Sequence, residues 1–388
     1  MNYNFDQIID RRGTNAIKYD KMDFFFGRHD LQPLWVADMD FATPSFILDA
    51  LKQRLTHPIL GYTKRPAGFF QSYIDWAQKR YNWTVSSDWL DFSPGVVGAL
   101  AIAILSLTNE GDKIIIQPPV YPPFFNAVKG NNRQLVLNPL IKNKDSIYHM
   151  NFDQLEKLID HKTKMILIAN PHNPVGRVWS KETLEKLGEL AIKHNLIILS
   201  DDIHADFTYP PHKYTPVISL NDDIAQQSII VTSPSKTFNI SGLSTSIVII
   251  PNKKFRQQFQ KKMHDMHLFL GNIFGNIAFE TAYRHGEAWL NELLTYLKGN
   301  IEFAKSYLQD NIPHIKTTTT EGTFLMWLDF SGTGLSHQQI KDRLINDAKL
   351  ALNDGLSFGQ NGEKHFRLNI ATPRKNLETA LEKLKIFS

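Results

Sequence analysis

A chain of 388 residues with 42% hydrophobic and 21% charged side chains has the balance of a soluble globular protein and can bury a large core without staples. Its net charge of +4 is small and its Lys and Arg residues are dispersed, which argues against a nucleic-acid partner. Complete lack of cysteine excludes disulfides, thiolate zinc sites and cysteine nucleophiles.

The opening stretch, MNYNFDQIIDRRGTNAIKYD, holds no apolar core of the signal-peptide kind. The longest apolar run, Val96 to Leu107, falls short of the roughly 20 residues a spanning helix requires. A cytoplasmic protein with no membrane partner is therefore expected. Residues 1–45 are irregular and rich in Asp and aromatics. At Asp91 to Leu100 a glycine-containing turn runs into an apolar helix. Gly95 allows close backbone approach there, and the N–H groups of Val96 and Val97 at a helix start suit an anion.

Beyond that turn come KIIIQ (113–117), QLVLN (134–138), KMILIAN (164–170), LIILSD (196–201) and SIIVTS (228–233). Each run is short, rich in Ile, Val and Leu, and apolar on both faces, as strands of a parallel sheet are when helices cover both sides. Between them, Ser180–Asn195 predicts a helix with Ser180 at its start and Leu184, Leu187, Leu190 and Ala191 along one stripe. Lys253, Lys254, Arg256, Lys261 and Lys262 alternate with Gln at helical spacing and read as a solvated helix face. From Glu287 long helical patterns precede a strand in TFLMWLDF (323–330) and another in RLNIA (367–371). The alternation predicts an α/β fold with a large, doubly wound, mostly parallel sheet. A large domain over 46–286 and a smaller α/β domain built from both termini, 1–45 and 287–388, are expected.

Ligands of open α/β sheets bind beyond the carboxyl ends of the strands. Three adjacent runs deliver polar groups to that rim: Asn173 after KMILIAN, Asp201 at the end of LIILSD, and Lys236 after SIIVTS. Taken singly each has a plain reading. Asn173 suits a Pro-flanked turn, Asp201 a helix cap, and Lys236 an exposed amine, while Ser233-x-x-Lys236 also matches a β-lactamase-like serine motif. Taken together they are what one cofactor, pyridoxal 5′-phosphate (PLP), needs. A carboxylate keeps the pyridine nitrogen protonated, an amide donor serves O3′, and an amine forms the Schiff base and moves the Cα proton. Ser233 and Ser235 would add hydroxyls for the phosphate beside the Gly95 turn.

These segments resemble the fold-type I PLP enzymes of the aminotransferase class I and II superfamily, and within it the cystathionine β-lyase/C–S lyase branch typified by MalY and PatB. The carriers are PLWVADMDF (33–41), GYT (61–63), SPGVV (93–97), PVYPPF (119–124), NPHNPVGR (170–177), SDDIHAD (200–206), SPSKTFN (233–239) and RLN (367–369). The resemblance implies that Lys236 is the Schiff-base lysine, that Asp201 pairs with the pyridinium, and that Asn173 and His204 address O3′. It further implies that Tyr121 stacks on the ring, that Tyr62 reaches a phosphate across a homodimer interface, and that Arg367 holds the substrate carboxylate. No metal is implied, since no carboxylate–histidine set has ligand spacing.

One departure bears on the chemistry. Aminotransferases of this superfamily carry a phosphate-binding arginine soon after the lysine, and here the stretch is Ser241-Gly242-Leu243-Ser244-Thr245. The resemblance therefore points to β-elimination from a sulfur amino acid, giving thiol, pyruvate and ammonia, with transamination as the rival. A regulatory module without catalysis is the other class, but the residues before the first motif are too few and too weakly basic for a DNA-binding domain.

Overall fold

The computed structural model describes residues 3–388, so the first two residues of the 1–45 segment lie outside the described residues. The expected sheet is present among them as seven strands: β1 (Leu90–Ser93), β2 (Lys113–Ile116), β3 (Gln134–Leu137), β4 (Thr163–Ala169), β5 (Ile197–Asp201), β6 (Ser228–Thr232) and β7 (Ser246–Ile249). Their spatial order is β1-β7-β6-β5-β4-β2-β3. Only β7 runs against its neighbours; the other pairings are parallel. The five apolar runs correspond to β2 to β6. Strands β1 and β7 go beyond the expectation, because β1 (LDFS) alternates polar with apolar and its end reads as part of the turn before Gly95.

Continuous apolar runs form these strands because no face meets water. Met165, Ile166, Leu167 and Ile168 of β4 are all fully buried, and truncating any of them to alanine is expected to cost about 2–5 kcal/mol. Helix α1 (Val96–Leu107) is apolar nearly all round and packs on β1, β5, β6 and β7. Helix α2 (Lys181–His194) begins as the sequence indicates: the Ser180 hydroxyl accepts from the Thr183 N–H at 3.2 Å, satisfying one orphan donor of the first turn. Its stripe packs Leu184, Leu187 and Ala191 inward, with Leu190 half-buried. Lys253, Lys254 and Lys261 stand exposed on a helix over Lys253–Asp265.

A second, antiparallel sheet follows the long helix α3 (Glu287–Asn311). It consists of β8 (Lys316–Thr317), β9 (Leu325–Asp329), β10 (Asn353–Asp354) and β11 (His365–Asn369), in the order β8-β9-β11-β10. Gln32–Pro33 pairs in parallel with Leu350–Ala351, tying the N-terminal segment to this region. From there residues 34–41 run towards the end of β6. Among the described residues no helix is long and apolar enough to cross a membrane.

Candidate active site

Because β4, β5 and β6 are parallel, the segments leaving their carboxyl ends meet at one rim. Asp201 is the last residue of β5, paired there between β4 and β6. Asn173 lies in the turn after β4 and Lys236 in the turn after β6. Together with Tyr121, His204 and Val96 they line a single cleft. Val97 lines it as well.

The cleft's charges are set by burial. Lys236 lies beneath the surface, and burial draws its amine down to about 8, with Arg367 acting in the same direction and Asp38 and Asp201 opposing. Its Nζ donates to the Ala37 carbonyl at 2.5 Å. Asp201 is pushed up to about 7 by burial, against the Ile203 N–H that donates to it at 3.2 Å and the nearby Lys236. The neighbouring Asp202 is raised to about 7 for the same reason, but it is turned away, bonded to the hydroxyls of Ser200 and Tyr214. His204 is held neutral, well below its usual range, by burial and by the cations Lys236 and Arg367. Its Nδ1 is buried and lacks a hydrogen-bond partner among the described residues, so the cleft presents a polar atom to whatever fills it.

Asn173 is oriented from behind. Its Oδ1 accepts from Arg367 Nη1 at 3.1 Å, which leaves the NH₂ end of the amide as the free donor. Arg367 sits on β11, one contact back from the lining. Its Nη2 also donates to the Trp35 carbonyl at 2.7 Å and to Asn353 Oδ1, and its Nε is buried without a partner among the described residues. Three of the five guanidinium N–H donors are thus engaged. Asn353 faces Arg367 across a β10–β11 register pair, a relation that spacing along the chain does not reveal.

At the start of α1 the backbone leaves its amides unpaired. Gly95 has φ +93, in a region essentially restricted to glycine. The first helical bond of α1 runs from the Ala99 N–H to the Gly95 carbonyl, so the amides of Val96, Val97 and Gly98 precede it and face out of the helix end. Ser244 Cα lies 4.0 Å from where a Cβ on Gly95 would stand, bringing the arginine-free stretch 241–245 against this cradle. Ser235 has a hydroxyl at the same turn. The Ser233 hydroxyl donates to the Thr245 carbonyl at 2.7 Å and accepts from the Ser235 N–H at 3.1 Å, so in this chain its proton is engaged within the turn.

Tyr62 is not brought to the cleft within this chain. It is 97% exposed, beside Leu60 and Leu270 in an open surface groove. Other supporting residues carry no signal in the sequence. Thr237, next to the lysine, donates to Asp206 Oδ2 at 2.7 Å, and Asp206 also accepts from Trp76 Nε1 at 3.0 Å and Tyr81 OH at 2.6 Å. Asp206 is visible within SDDIHAD, but its spacing gives no clue to these partners.

Comparison with known proteins agrees with this geometry. The sequence model of the family described as aminotransferase class I and II matches residues 31–384. Cystathionine β-lyase PatB of Bacillus subtilis (strain 168) is 42% identical over 383 residues, covering 98% of this chain and 99% of PatB. Among solved structures, cystalysin from Treponema denticola, which contains a pyridoxal 5′-phosphate cofactor, superposes with a TM-score of 0.96 at 33% identity, covering 100% and 99% of the two chains. The PLP-bound C–S lyase from Staphylococcus hominis gives 0.92 at 34% identity, covering 100% and 98%. The chain belongs to the aminotransferase class I and II family, in its MalY/PatB-like cystathionine β-lyase branch.

Proposed function

We propose that the chain is a PLP-dependent carbon–sulfur β-lyase acting on cystathionine- or cysteine-type amino acids, with Lys236 as the residue that carries the cofactor. The observation behind this reading is the convergence of an amine, an acid, an amide and a neutral imidazole on one cleft next to a glycine-started helix. These residues fit the cofactor. Asp201 answers the ring nitrogen, since an acid raised by burial gains most from a cation placed against it. The Asn173 NH₂ and the unpartnered His204 Nδ1 answer O3′, and Tyr121 supplies a face for the ring. The amides of Val96 and Val97 with the Ser235 hydroxyl answer the phosphate.

When bound, PLP supplies the electron sink that makes a Cα proton of an amino acid acidic. The chain does the rest. Arg367 holds the substrate carboxylate with its remaining N–H donors, which fixes Cα towards Lys236. The Lys236 amine, brought near neutrality by burial, takes the Cα proton. The Cβ–S bond then breaks, and the resulting lysine ammonium is placed to return a proton to the departing sulfur. Hydrolysis of the released enamine gives pyruvate and ammonia.

Transamination shares the first proton transfer and differs in where the next proton goes. Incubation with cystathionine and no keto-acid acceptor separates the two. Pyruvate and free thiol in equal, continuously growing amounts are expected; a single turnover that stops at the pyridoxamine form would sink the lyase reading.

The functional unit is a cytoplasmic homodimer in which Tyr62 of each chain reaches the phosphate cradle of the other. Its support is the exposure of Tyr62 beside the apolar Leu60 and Leu270, an arrangement that costs solvation in an isolated chain. The segments 46–286 and 287–388 with 1–45 serve as its large and small domains. Sedimentation equilibrium is expected to return twice the 44.5 kDa chain mass, and a monomer that is fully active would refute the shared site.

A further inference from the structure

The asparagines of the motifs Lys236–Asn239 and Arg367–Asn369 have no part in the site as described above. Asn239 and Asn369 both bind the segment Trp35–Phe41. Asn239, with φ +57, an uncommon conformation that asparagine tolerates, accepts at Oδ1 from the Met39 N–H at 3.1 Å. Its Nδ2 donates to the carbonyls of Met39 at 3.0 Å and Phe41 at 2.8 Å. From the other side Asn369 Nδ2 donates to the carbonyls of Val36 and Asp38, both at 2.7 Å. Residues 36–41 thus form a strap pinned at both ends, and within it the Ala37 carbonyl accepts from the Lys236 amine. Arg11 binds Asp38 through both nitrogens, at 3.0 and 2.6 Å, and buried Lys18 holds Asp40 at 2.9 Å, so the strap's acids are neutralised in place.

We propose that Asn239 is a positioning residue for Lys236: its carboxamide fixes the strap, and the strap fixes the carbonyl that aims the free lysine amine. This rests on the reading of Lys236 as the cofactor-bearing lysine and assigns the WVADMDF segment a task in the chemistry. A carbonyl in contact with the amine favours its charged form, so freeing that carbonyl lowers the amine's pKa. The other charged groups around the amine are Asp38 on the strap, Asp201 at the end of β5 and Arg367 on β11; Asp38 supports the charged amine, so loosening the strap that carries it acts in the same direction as freeing the carbonyl.

The test uses the full-length chain. Added PLP is attached to the apoprotein at a series of pH values, and the rate of covalent attachment gives the titration midpoint of the free amine. The reconstituted enzyme is then assayed with cystathionine. In Asn239→Ala the midpoint is expected to move to lower pH, and kcat to fall by about 10- to 100-fold as the amine loses its aim, with KM changed less than about threefold. Asn239→Asp keeps the size and the acceptor for the Met39 N–H but loses both donors; it is expected to shift the same way and carries the test should the alanine variant fail to fold. A variant with lowered Tm, unchanged midpoint and unchanged kcat overturns the proposal, since that is the signature of a purely structural asparagine. Failure of the parent chain to attach PLP at Lys236 overturns instead the reading on which the proposal rests.

Discussion

Lys236→Ala is expected to abolish the yellow absorbance of covalently held cofactor and to lower kcat by on the order of 10³-fold or more, since the proposed function makes one residue both attachment point and proton carrier. That loss corresponds to roughly 4 kcal/mol of transition-state stabilisation. The fold should survive. The side chain's hydrogen bond goes to the Ala37 carbonyl, and replacing a buried amine by a methyl group removes a desolvation cost along with it. The far-UV spectrum and Tm of the apoprotein should therefore match the parent within a few degrees, and PLP should still bind, non-covalently, through the cradle at Gly95 and Asp201. Electronic absorbance beside a filter-retention measurement of bound PLP distinguishes the outcomes. A variant that keeps the yellow band would place the attachment on another amine and remove the basis of the mechanism.

The wild-type enzyme offers a companion observation, because the free Lys236 amine of the apoprotein is drawn down to about 8. A base must be neutral to accept a proton, so kcat is set to rise with pH through that region. Burial is the main cause of the shift, with the cationic Arg367 assisting.

What can be read from the sequence follows the physics of each feature. Asn173, Asp201 and Lys236 are legible because each terminates or follows a run that is apolar on both faces. A parallel sheet then carries all such ends to one rim, so one-dimensional order converts directly into proximity. Gly95 is legible for a different reason, since a glycine at the start of an apolar helix has few roles, and its φ of +93 is the one that only glycine fills cheaply. The direction of the Ser233 hydroxyl is not legible because sequence does not say which way a hydroxyl donates; here the nearby Thr245 carbonyl accepts its proton. Asn353 and the pins Asn239 and Asn369 are out of reach, because their partners lie across a register pair or far away in the chain. Tyr62 is placed only through family resemblance, and in the single chain it faces solvent.

Asp201→Asn is expected to separate stability from catalysis in opposite directions. In the apoprotein Asp201 is a cost: its folded pKa of about 7 stands above the ordinary value of 3.8, so the folded state binds its proton more tightly than the unfolded state. Stability from this group is fully present below about pH 4 and is lost as pH rises through 7. The neutral isostere removes that loss, and the apo form of the D201N variant should melt higher than the parent at pH 8 while differing little at pH 4. In the presence of PLP the balance reverses. In the proposed site the carboxylate would hold a proton on the ring nitrogen through its charge, and an amide would not; the nitrogen's pKa would fall by about 1–3, and kcat should drop by on the order of 10²- to 10³-fold, each tenfold equal to about 1.4 kcal/mol. The gain in Tm that PLP confers should shrink in the variant, since binding to the folded state alone supplies it. Melting curves at pH 4 and 8, with and without PLP, read the stability effects together. If the apo variant is instead less stable at pH 8, Asp201 is serving the fold, and its assignment to the ring nitrogen fails.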